Sequence, residues 1–113
     1  MITVPTYWAR IFVGVNDDYG ARTVGPLVID DFLRAHVTAH PRCVSVTQTH
    51  FVYTDGDEPG FEVGMINYPR FPNEPSAIRA YAIDLARKLK TLCRQHRVTV
   101  MFPDTTVMLE DGE

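Results

Sequence analysis

The residues with most chemistry to offer are Arg10, Gln48, His50 and Glu62, spread over three stretches that read as extended chain. Arg10 supplies a cation, His50 an imidazole able to give or take a proton, and Glu62 a carboxylate. Trp8, Phe12, Ile66 and Tyr68 would stand beside them as aromatic and apolar walls. Brought together, such a set serves a polar ligand or a proton transfer. The convergence needs a bulge in the second strand, because plain alternation puts Gln48 and His50 on the side of Val44 and Val46.

A second set is cationic. Arg87, Lys90, Arg94 and Arg97 recur at helical spacing and could present one basic edge to phosphates or an acidic partner. The same pattern arises on any solvated helix face whose C-terminal dipole favours cations. No interleaved aromatics accompany it and the net charge is −3, so nucleic acid is not an expected partner.

A third set is His36 and His40 with Cys93 and His96, an H-x-x-x-H and a C-x-x-H pair at the ends of two helices. Zinc accepts such donors in tetrahedral sets. Pro41 interrupts the helix at His40, however, and neither pair has a finger spacing, so neither a metal nor another cofactor is expected. Asp55-Gly56-Asp57-Glu58 lacks the alternating ligands of a calcium loop and reads as a turn. Ser45 and Ser76 sit in no nucleophile elbow, and the glycines form no phosphate-cradling loop.

The elements that must position these residues follow from periodicity. Tyr7 to Val15 is aromatic and β-branched and stops at a cluster of turn formers, which predicts a first strand with Ala9, Ile11, Val13 and Val15 inward. Trp8, Arg10 and Phe12 then point to the opposite side. Pro26 opens a helix carrying Ile29, Phe32, Leu33 and Val37 that ends before Pro41. Strands are predicted over Cys43 to Tyr53 and Phe61 to Tyr68, joined by a turn-rich connection from Thr54 to Gly60. Ser76 to His96 has the clearest helical stripe, Ile78, Tyr81, Ala82, Leu85, Leu89, Leu92, Cys93 and His96. Val98 to Phe102 and Thr105 to Leu109 close the chain as short strands.

The order β-α-β-β-α-β predicts one α+β domain over residues 1–113, a split β-α-β or ferredoxin-like sandwich with both helices on one face. The length suits one core, and 45% hydrophobic with 22% charged residues is ordinary globular composition. Two distant cysteines, no secretory pattern and no long apolar run predict a soluble, cytoplasmic protein that does not span a membrane.

The segments Arg10-Ile11-Phe12-Val13-Gly14, Phe32-Leu33 with Val37-Thr38, and Gln95 through Val98 resemble a family of small bacterial ferredoxin-like domains of unknown function. The resemblance implies the fold and brings no chemistry. Without a catalytic signature, the reading favoured by sequence is a non-enzymatic, self-associating binding domain. Its bare sheet face would take a small polar or anionic ligand, or a partner protein, through Trp8, Arg10, Phe12, Gln48, His50, Glu62 and Tyr68. A small dimeric enzyme, an oxygenase or isomerase with His50 as base, is the alternative, and backbone binding of nucleic acid by the basic stripe is a third.

Overall fold

The computed structural model describes residues 1–112. The chain runs β1 (Trp8–Gly14), α1 (Pro26–Ala39), β2 (Ser45–Tyr53), β3 (Gly56–Ile66), α2 (Pro75–Leu92), β4 (Arg97–Met101) and β5 (Thr106–Glu110). The five strands form one sheet in the order β2-β3-β1-β4-β5, and every neighbouring pair is antiparallel. This is the ferredoxin-like arrangement expected from the element order, with β5 added at one edge.

Strict alternation explains the layers. Ala9, Ile11 and Val13 of β1, Phe61, Val63 and Met65 of β3, and Val98 and Val100 of β4 are buried under the helices. They meet Ile29 and Leu33 of α1 and Ile78, Ala82, Leu85, Ala86 and Leu89 of α2, which recur at the three- and four-residue spacing of one helix face. α2 lies over β1 and β4. No helix of the described residues is long and apolar enough to cross a membrane.

Two boundaries differ from the sequence expectation by more than two residues. The β2–β3 connection is two residues long rather than seven: Tyr53 pairs with Gly56, and Asp55 takes the left-handed conformation at φ 65°. Pro59 belongs to β3. Its carbonyl accepts from the Val15 amide at 3.3 Å, so its missing N–H faces the end of β1 and removes nothing from the ladder with β2. The second difference is at α2, which stops at Leu92 and not at His96. Arg94 enters the left-handed region at φ 55°, and the Gln95 and Arg94 amides bond back to the carbonyls of Lys90 and Thr91. That pattern is a Schellman stop, built here without the usual glycine.

Candidate functional site on the bare sheet face

The sheet face without helices carries the side chains that β1, β2 and β3 point away from the core. Register sets their neighbours: Trp8 faces Ile66, Arg10 faces Gly64, and Phe12 faces Glu62. On the other side of β3, Gly64 faces Ser45 and Glu62 faces Thr47. Arg10 and Glu62 are therefore diagonal neighbours, whose Cβ atoms stand roughly 7–8 Å apart in such a pair. Neither has an ion-pair or side-chain hydrogen-bond partner among the described residues. An acid and a base left free on one strand pair, beside a half-buried tryptophan, can clamp a ligand that carries both charges.

Gly64 makes room for such a ligand. A Cβ there would lie 3.2 Å from Ser45 Oγ and 3.7 Å from the Ala9 carbonyl, and its absence leaves the floor of a cavity of about 380 Å³. Trp8, Arg10, Ser45, Ile66 and Tyr68 line it. Tyr68 follows the end of β3 and begins a turn in which the Phe71 amide bonds to its carbonyl. A hydrogen bond with Cys43 and burial raise the Tyr68 pKa, so the phenol stays protonated and able to donate.

Gln48 and His50 do not join this set. β2 pairs with β3 residue for residue from Ser45 to Tyr53, so no bulge turns them to the bare face. They lie on the helix side of the sheet, where His50 Nε2 meets Asp57 Oδ2 at 2.6 Å in an exposed pair. The expected cluster thus reduces to Trp8, Arg10, Phe12, Glu62 and Tyr68, with His50 removed from the chemistry of this face. Sequence reading passed over Ser45 and Gly64; a glycine inside a strand run was the available signal for a close approach.

The other sets separate. His36 is buried, stacked on Phe32 at 6.2 Å and in edge contact with Tyr81 at 5.3 Å, and its burial lowers its pKa. Cys93 is buried in the core, where desolvation pushes its thiol up to about 11. His96 lies outside the helix, its two ring nitrogens 2.5 Å from Asp111 Oδ2 and 2.8 Å from Asp18 Oδ1. Among the described residues, no group of three or more such side chains is placed to hold a metal ion. The basic stripe is also broken: Lys90 pairs with Asp111 and Arg97 with Glu110, and Arg94 has left the helix. A continuous cationic edge from Arg87 to Arg97 is not formed.

No family model and no curated protein matches this sequence. Two solved structures share the fold. One is a phage SAM lyase in the apo state, at TM-score 0.81 and 17% identity over 95% of this chain and 90% of that one. The other is a phage SAM lyase in complex with S-methyl-5'-thioadenosine, at TM-score 0.79 and 16% identity over 97% and 93%.

Proposed function

We propose that the bare sheet face binds an adenosyl sulfonium of the S-adenosylmethionine class and that the chain cleaves it to S-methyl-5'-thioadenosine. The observation that carries this reading is the free Arg10–Glu62 couple, with Arg10 and Trp8 lining the cavity over Gly64 and Glu62 diagonal to Arg10 beside it. The fold shared with phage SAM lyases supports the ligand class. Arg10 takes the substrate carboxylate, Glu62 its ammonium group, and the Trp8 ring meets the sulfonium through its π face. In the cleavage, an oxygen of the substrate's own carboxylate bonds to the aminobutyrate γ-carbon as the bond from that carbon to sulfur breaks; the electron pair leaves on sulfur as a neutral thioether and the amino-acid part departs as a five-membered lactone. An apolar, aromatic surround favours that step, because it stabilises the neutral product better than the cation.

The test follows product by chromatography. S-adenosylmethionine incubated with the protein is expected to yield S-methyl-5'-thioadenosine, with kcat/KM lowered roughly 10- to 150-fold in Arg10→Ala, the worth of one charge-assisted contact. Binding without product would leave the non-enzymatic reading of the same face in force. No binding at all would overturn the proposal.

The reading includes self-association. β2 is an edge strand with little cover on either face, and Val46, Val52, Tyr53 and Ile66 leave apolar surface open in the single chain. A second copy covers such an edge and lowers the water content of the adjoining site.

A further inference from the structure

A second cavity, of about 450 Å³, opens beyond the end of the sheet between the start of β2 and the loop leading to α2. Pro41, Arg42, Cys43, Tyr68, Phe71 and Asn73 line it. Tyr68 lines the sheet-face cavity as well, so the two spaces adjoin at one side chain.

The cavity is a built feature. Asn67, 7% exposed, donates to the Pro5 carbonyl at 2.8 Å and accepts from the Asn73 amide at 2.9 Å, which pins the far wall from inside. On the near wall, Arg42 is held in place by its contact over the Tyr81 ring, at 5.1 Å. The phenyl ring of Phe71, 67% exposed, and the Tyr68 ring offer flat apolar surfaces, and the Asn73 side chain, whose Oδ1 accepts from the Glu74 amide at 3.2 Å, offers its Nδ2 as a donor.

From these we infer that the cavity seats the purine base of the ligand whose amino-acid end lies at Arg10. The inference rests on the sheet-face reading and deepens it. A purine is planar and carries ring nitrogens that accept hydrogen bonds, which suits the two rings and the Asn73 Nδ2 donor. The distance also fits: Gly64, opposite Arg10, and Tyr68 are four residues apart along the chain, roughly 13 Å if extended. That is the scale of a ribose joined to a four-carbon amino acid. The sulfonium then falls near Trp8, between the two anchoring ends.

Calorimetric titration of S-adenosylmethionine and of S-methyl-5'-thioadenosine, which lacks the amino-acid end, separates the parts. Phe71→Ala is expected to weaken both ligands by a similar factor, roughly 5- to 150-fold for loss of one base-stacking ring. Asn73→Ala is expected to weaken both as well, while Arg10→Ala weakens S-adenosylmethionine and leaves the thioadenosine unchanged. If Phe71→Ala and Asn73→Ala bind the thioadenosine as tightly as the parent, the base does not sit here. A loss confined to S-adenosylmethionine in Arg10→Ala would then keep the sheet-face reading while this inference falls. If the parent binds neither compound, both fall. Circular dichroism of each variant guards against misfolding, and Phe71 on the rim contributes little to the core.

Discussion

At the scale of single residues, two histidines respond to pH in opposite directions. His96 holds Asp111 and Asp18 on its two ring nitrogens, an arrangement that needs both nitrogens protonated. The hydrogen bond to Asp111, followed by that to Asp18, raises its pKa above 6.5. A raised folded-state pKa means that this stabilisation is complete below the unfolded value and is lost as pH rises through the folded one. His36 is the reverse. Burial holds its pKa below 6.5, so stability is lost as pH falls from 6.5 through the lowered value. Thermal melts between pH 5 and pH 9 are expected to show His96→Gln losing its stability relative to the parent on the acid side of that range and matching it on the alkaline side. A constant difference at all pH values would mean that the carboxylate contacts of His96 do not depend on its charge. The site residues were legible to the extent that alternation alone placed them. Trp8, Arg10 and Phe12 are where period two puts them, whereas His50 needed a bulge that the ladder does not contain.

At the scale of elements, α2 was the most readable part because its buried positions share one stripe. Leu85→Ala is expected to cost about 2–5 kcal/mol in urea denaturation, as a fully buried leucine truncated in a packed core does. The end of the helix was not readable. His96 continues the apolar spacing, but the backbone turns at Arg94, a residue type that carries no stop signal. Since a non-glycine residue in that conformation is strained, Arg94→Gly is expected to raise stability by about 1 kcal/mol, read as a higher urea midpoint at unchanged slope. An unchanged or lower midpoint would show that Arg94 makes compensating contacts. The β2–β3 hairpin misled for the opposite reason. Asp55, Gly56, Asp57, Pro59 and Gly60 are turn formers by type, yet Thr54 and Asp55 alone complete the turn and the rest enter β3. Gly60 has a ladder role there: a Cβ would lie 2.6 Å from the Val13 carbonyl and 2.2 Å from the Phe51 ring. The close approach of two strands and an aromatic ring requires glycine at this point.

At the scale of the whole molecule, the chain measures 49 × 28 × 28 Å, and the His50–Tyr53 part of β2 with the Gly56–Pro59 part of β3 runs past the end of β1 as a two-stranded arm. A two-stranded arm is marginal alone in water and gains from a neighbour. Native mass spectrometry at micromolar concentration is expected to find a multimer, and a monomer throughout would overturn the self-association proposed above. The sequence by itself determined the number, type and order of the elements and the inward residues of β1 and α2, since these depend on local periodicity and on chain connectivity. It determined as well that Trp8, Arg10 and Glu62 stand on strands, whereas Tyr68, expected to end the third strand, lies just beyond it. Only the tertiary structure decided that Arg10 and Glu62 are diagonal neighbours over Gly64, that His50 faces away, and that Tyr68 joins two cavities. Those relations depend on cross-strand register, where a shift of one residue exchanges the two faces of a strand, and no local preference along the chain fixes that shift.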